Sequence, residues 1–254
     1  MKRFLSLVLL ILQPPITVHV QNSYSTSFSA TENPISEGGH WINGTTTGID
    51  WCNMQTGVRR GVHYAFGDIT PSPQCSTTPY NDPIAVLTGT WATTQHAIAT
   101  VYVDPVGPGP ANTYPEVEVH TNVTISAHNI TGYEFDCGEN PVGSPNRYSV
   151  GFAIVRWNGP LANSSNSNNG FTYLANSGPS VFGCANGDVI EGHNTGAANN
   201  NLQFWKNGLL VLQATDHTYT AGSPGIGVNA TENTSNVLSG LSSFSATDAP
   251  IASH

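Results

Sequence analysis

Between Pro115 and His128 the chain reads Pro-Glu-Val-Glu-Val-His-Thr-Asn-Val-Thr-Ile-Ser-Ala-His. Odd positions Val117, Val119, Thr121, Val123, Ile125 and Ala127 are mostly apolar, while even positions Glu116, Glu118, His120, Asn122, Thr124 and Ser126 are all polar. Successive side chains of a β-strand point to opposite faces, so this period predicts a strand with one face on a core and the other toward water or ligand. The polar face begins with two carboxylates and an imidazole. Glu116, Glu118 and His120 are therefore the first candidates for catalysis.

The rest of the chain repeats the theme. Strand-like stretches at 23–30, 57–66, 84–90, 91–104, 132–137, 148–157, 171–175, 188–193, 202–206, 209–214 and 239–247 alternate with turn signals, and no long 3.6-period stretch interrupts them. Asn207-Gly208 is the strongest hairpin signal, because a type I′ turn needs positive φ at both central residues. Ser27–Thr31 and Ser243–Thr247 both read Ser-Phe-Ser-Ala-Thr, a hint that the first and last strands pair. Many short strands without a repeat or linker predict an all-β chain, a two-sheet antiparallel sandwich (jelly roll) over 23–254 with very little helix.

Charged residues are only 9% of the 254, the formal net charge is −9, and Lys plus Arg number 7. So acidic a chain is a poor partner for nucleic acid or an anionic membrane. Arg59, Arg60, Arg147 and Arg156 leave a local anionic-ligand site open. Lys2, Arg3 and the apolar run from Phe4 to Leu12 have the order of a secretory leader, so 1–22 is expected to be a signal peptide and the protein secreted and extracellular. Four cysteines in an exported chain predict two disulfides, and of the three pairings Cys52–Cys75 with Cys137–Cys184 closes the shorter loops. Sequons stand at Asn43, Asn122, Asn129, Asn163, Asn229 and Asn233, a number that the Asn, Ser and Thr content alone would generate.

Two segments resemble the concanavalin A-like lectin/glucanase superfamily, particularly its LamG-like jelly rolls. One runs from Tyr148 to Leu161. The other, from Phe204 to Val228, holds a strand, the Asn207-Gly208 turn, a returning strand, Asp216 and the stretch Ser223-Pro-Gly-Ile-Gly-Val228. Ile130-Thr-Gly-Tyr-Glu134 and the closing Ser243–Asp248 extend the likeness over roughly the last 150 residues. That superfamily contains lectins, glycan-binding modules, hydrolases and lyases, so the resemblance implies a fold and leaves function open. Its retaining endo-glucanases carry Glu-x-Asp-x-x-Glu on a concave-face strand. By that comparison Glu116 would be the nucleophile, but Glu118 stands for the Asp and His120 for the last Glu, leaving the acid/base without an obvious residue.

Sugars stack on exposed aromatic rings beside polar groups, which makes Arg156, Trp157 and Trp205 the candidate carbohydrate-binding residues. Trp41, Trp51 and Trp91 fit core or rim packing as readily. Asp216 with Glu232, and Asp188, are the candidate Ca²⁺ ligands at a sandwich edge, although no EF-hand-like loop sets their spacing and turn capping is the plainer role. No other cofactor is implied. Two functions follow. One is a secreted, monomeric, lectin-like protein that recognises an extracellular polysaccharide. The other is a glycoside hydrolase or polysaccharide lyase working through Glu116, Glu118 and His120, whose spacing along one strand face permits either chemistry.

Overall fold

The computed structural model describes residues 21–49, 51–67, 82–104, 116–138, 151–160, 170–178, 183–229 and 238–250. The first 20 residues of the expected leader, Cys75, Arg147, Glu232, Asn163 and Asn233 lie outside them. The described elements are β1 (Ser23–Thr26), β2 (Trp41–Asn43), α1 (Gly44–Thr47), β3 (Met54–Arg59), β4 (Val62–Gly67), β5 (Ile84–Leu87), β6 (Gln95–Val103) and β7 (Glu116–Ser126). They continue as β8 (Asn129–Gly138), β9 (Phe152–Pro160), β10 (Phe171–Asn176), β11 (Val189–Asn194), β12 (Leu202–Lys206), β13 (Leu209–Ala214), β14 (Ser223–Asn229) and β15 (Ser239–Thr247). Among the described residues no helix is long and apolar enough to cross a membrane.

Two antiparallel sheets form the sandwich expected from the sequence. The eight-stranded sheet has the order β13-β12-β11-β6-β15-β4-β3, with β1 added against β15; the seven-stranded sheet has the order β10-β9-β8-β7-β14-β5-β2. First and last strands do pair, Ser23 opposite Thr247 and Thr26 opposite Phe244. Between the sheets, Ala97, Ala99, Ile190, Phe204 and Phe244 meet Val117, Val119, Phe135, Ile154 and Ile226 in the main core. Phe135 and Phe152 both set their rings edge-on against Phe204, at 5.9 and 5.6 Å.

Local chemistry explains where the strands depart from the expected ones. The stretch 57–66 is not one strand but a hairpin, β3 and β4, because Arg60 and Gly61 both take positive φ. β9 runs on through Asn158-Gly159-Pro160 instead of stopping there, paired to β8 as far as Asn129–Pro160. Among the described residues β10 pairs with β9 only as far as Trp157, so Pro160 withholds no N–H from a described β10 partner. The Asn207-Gly208 turn is as expected, with φ of 50° and 75° joining β12 to β13. Cys137 and Cys184 form a disulfide with Cα atoms 5.8 Å apart. Cys52 is also disulfide-bonded, but its expected partner Cys75 is outside the described residues.

Of the polar positions of 116–126 expected to face water or ligand, Thr124 and Ser126 are exposed but the middle of the row is sealed. Glu118, His120 and Asn122 are as buried as Val117 and Val119. A second apolar cluster occupies this outer face of the seven-stranded sheet, formed by Ile49, Trp51, Ile84, Val86, Val123, Ile130, Ala153, Val155 and Trp157. Trp51, on the segment after α1, meets Trp157 edge-on at 4.8 Å. The alternation also breaks within β7. Asn122 has φ of 54° and the register to β8 shifts between Thr121 and Thr124, so Val123 and Ile125 turn to the outer cluster. Ala127, expected to be buried, is exposed. An extra residue in one strand swaps the faces of everything beyond it.

Candidate functional site

β7 and β8 bring carboxylates together on the outer face of the seven-stranded sheet. Glu118 stands opposite Asp136 and His120 opposite Glu134 in the ladder. On the other side of β7, Gly227 and Gly225 of β14 face Glu118 and His120. Nε2 of His120 lies 3.2 Å from Oε2 of Glu118, and donor atoms of Glu118, His120 and Glu134 all fall within 4.8 Å of one another. The indole N–H of Trp157 donates to Oε2 of Glu134 at 2.6 Å. Glu116 and Asp82 extend the cluster, and Asn229 Nδ2 donates to Glu116 at 3.4 Å.

Burial dominates the electrostatics here. It pushes Glu118, Glu134 and Asp136 well above the usual carboxylate range, with neighbouring carboxylates adding to the shift. Glu116 rises to about 7 and Asp82 to about 8 for the same first reason. Burial drives His120 down to about 3, so its ring is neutral. The described cations are engaged elsewhere: Arg59 and Arg60 on Asp104, Arg156 on Asp216, Lys206 on Asp188. A dry site cannot hold this many unpaired negative charges, so it must take up protons or a cation.

The other sheet carries a different row on its own outer face. His96 of β6 stacks on His193 of β11 at 4.6 Å between ring centres, and Trp205 of β12 lies 6.0 Å beyond His193 in nearly parallel orientation. His193 Nε2 is 3.2 Å from Glu191, and the indole N–H of Trp205 donates to Gln203. In the ladder His96 is opposite Thr247, which is opposite Ser23. The row therefore runs from an aromatic ring into a cleft of about 350 Å³ lined by Ser23, Ser25, His96, Ile98, Ser245 and Thr247.

No family model matches the chain, and no curated protein matches its sequence at a significant level. Solved structures share its fold. An endo-β-galactosidase from Clostridium perfringens that releases GlcNAcα1-4Gal superposes with a TM-score of 0.50 at 11% identity, over 92% of this chain and 64% of that one. The fold is a concanavalin A-like jelly roll. The potassium-bound carbohydrate recognition domain of Emp46p (TM-score 0.48, 10% identity, 89% and 95% covered) and the carbohydrate-binding module CBM66 from Bacillus subtilis (0.44, 10%, 82% and 91%) are more distant.

Within this jelly roll the sequence candidates separate. Glu116, Glu118 and His120 do come together, joined by Glu134, Asp136 and Asp82, which sequence reasoning missed. The alternation Tyr133-Glu134-Phe135-Asp136-Cys137 carried the signal for two of them. Trp157 is 2% exposed, so no sugar ring can stack on it in this conformation. Arg156 is committed to Asp216 at 2.6 Å. Asp216 in turn is not presented to a metal. Tyr133 and the Thr218 N–H donate to its Oδ1 and Arg156 to its Oδ2, and these bonds outweigh burial to hold its carboxyl below the usual range. Asp188 is likewise taken up, by Lys206, Asn207 and the Ala185 N–H. Trp205 is half-buried and lies on the opposite sheet from Trp157.

Proposed function

We propose that this chain is a secreted carbohydrate-recognition protein, and that it holds an extracellular polysaccharide on the outer face of its eight-stranded sheet. One observation carries the reading: the row Trp205–His193–His96 ends in an open cleft lined by serine and threonine hydroxyls. The half-buried ring of Trp205 supplies the apolar contact that a sugar face needs and the cleft hydroxyls supply donors and acceptors, while His193 and His96, 3% and 7% exposed, pack beside that ring. The shared architecture with a glycan-cleaving enzyme is compatible with this and does not decide it.

The competing reading is cleavage at the carboxylate cluster. Glu134 supplies a candidate for the acid/base that the strand 116–120 did not offer, with one of its oxygens within 4.8 Å of one of Glu118, near enough for a retaining pair. But Glu118 and His120 are no more than 1% exposed, and a polysaccharide cannot reach them without displacing the residues that seal them. Recognition is therefore the better-supported function.

Incubation with glucans, xylans, alginates and pectins, reading both retention and released ends, tests the proposal. Retention on one polysaccharide without product, weakened at least tenfold in Trp205→Ala, is expected. Retention unaffected by Trp205→Ala would overturn the assigned surface. Product that disappears in Glu116→Gln or Glu118→Gln would overturn recognition as the sole activity, and unsaturated ends would identify a lyase.

A further inference from the structure

The buried carboxylate cluster has properties that sugar recognition on the opposite sheet does not use. Two adjacent strands place one imidazole and two carboxylates with their donor atoms within 4.8 Å of one another. The 3.2 Å between Glu118 Oε2 and His120 Nε2 is the spacing of two ligands that each stand about 2.0–2.2 Å from one ion. Asp136, across the ladder from Glu118 on the same face, is 3% exposed and its Oδ1 has no hydrogen-bond partner. The Ala153 N–H is the hydrogen-bond donor to this sealed carboxylate, its Oδ1 is left without one, and none of the described Lys or Arg side chains reaches the group.

Glycine at 227 keeps the donors free. A Cβ there would stand 2.3 Å from Glu118 Oε2 and 2.7 Å from His120 Nε2, so only a strand without a side chain can pass beside them. Gly227 thus lets β14 lie directly against the two donor atoms.

We propose that Glu118, His120 and Glu134 bind a divalent transition-metal ion, with Asp136 as the neighbouring negative group that completes charge balance. An imidazole with two carboxylates suits Zn²⁺, Co²⁺ or Mn²⁺; Ca²⁺ takes six to eight oxygens and gains nothing from a ring nitrogen. The ion would replace protons on the cluster and tie β7 to β8, a structural role beneath the second apolar cluster. The site lies on the opposite sheet from the Trp205 row and does not depend on it.

The test uses untagged full-length protein, stripped with chelator and given one equivalent of Co²⁺ or Zn²⁺. Expected results are one ion retained per chain, visible Co²⁺ absorption of a low-coordinate site, and a raised unfolding temperature. Zinc-edge X-ray absorption should show one imidazole among oxygen ligands. His120→Ala and Glu134→Gln should each weaken binding at least tenfold, while His193→Ala should leave it unchanged. Wild-type protein that retains no ion and shows no thermal shift would overturn the proposal, as would loss of binding in His193→Ala with retention in His120→Ala. Should His120→Ala fail to fold, the stoichiometry and ligand spectrum of the wild type decide alone. Polysaccharide retention is measured on the same samples, so failure of the metal site and failure of glycan recognition are read separately.

Discussion

Trp157 and Glu134 are joined by a 2.6 Å hydrogen bond between neighbouring strands, with the indole ring held on its other side by Trp51. A residue that reads in the sequence as a sugar platform is thus a fastener that orients a buried carboxyl. Trp157→Phe keeps a ring for Trp51 to meet but removes the N–H. Leaving the carboxyl without that donor should lower stability by about 1–3 kcal/mol. Urea unfolding of the two proteins measures it. A change under about 0.5 kcal/mol, within the scatter of surface substitutions, would mean the bond does not matter.

Gly227→Ala tests the packing around Glu118 and His120. The added methyl would meet both side chains at under 3 Å, so they or the strand must move. Overpacking of this kind typically costs about 1–3 kcal/mol. Thermal unfolding should show the loss, while retention on polysaccharide, which engages the other sheet, should not change. Equal damage to both would show that the two faces are not independent.

His96 gives the outer row a pH dependence. Burial, and then the charge of neighbouring His193, lower it from the usual 6.5 to about 4, with Glu191 pulling the other way. The folded state therefore favours the neutral ring more than the unfolded chain does. Its contribution is present above about pH 6.5 and is lost as pH falls toward 4. His96→Gln keeps a polar side chain that cannot titrate, so its unfolding temperature should fall less between pH 6.5 and pH 4 than that of the wild type. Parallel curves for the two proteins would refute this assignment.

How much of this was legible in the sequence depends on which physical quantity each residue reports. The period of two in 116–120 located a strand and put Glu116, Glu118 and His120 on one face of it, because alternation is a local property. It could not say what lies over the polar face. Ile49 and Trp51, about 70 residues earlier, fold onto the same sheet face and pack with Val123, Val155 and Trp157. Glu134 and Asp136 were visible as an acid–aromatic alternation, but their meeting with Glu118 and His120 rests on the β7–β8 register. The register shift at Asn122 was likewise hidden, since Asn only tolerates the left-handed region and does not demand it. Ser223–Asn229 stands in the sequence only as a glycine stretch outside the strand-like segments, yet it is an inner strand. Its glycines are needed because Glu118, His120 and the β5 backbone leave no space for side chains. Trp205 and His193 sit in separate strand signals, and only the pairing of β11 with β12 makes them one row.

Asn122 also decides how one sequon behaves. Its side chain is fully buried, donating to the Thr93 carbonyl at 3.0 Å and accepting from Asn194 at 2.8 Å. Asn43 is 2% exposed and donates to the Ile35 carbonyl. An N-linked glycan on either amide would have to pass through packed protein. Expressed in a glycosylating host, the folded protein should carry no glycan at these two positions, whatever the occupancy of the half-buried Asn129 and Asn229. Enzymatic deglycosylation in heavy-oxygen water followed by peptide mass mapping reads each site, since a released glycan leaves a labelled Asp. A substantial labelled fraction at Asn122 in folded protein would refute its placement. Asn122→Gln offers a second reading of the same geometry. It loses both hydrogen bonds and puts a longer side chain at a φ of 54°, a region that Asn adopts more readily than Gln. A loss of about 1–3 kcal/mol in unfolding free energy is expected, and a neutral result would mean that the bend in β7 does not depend on this side chain.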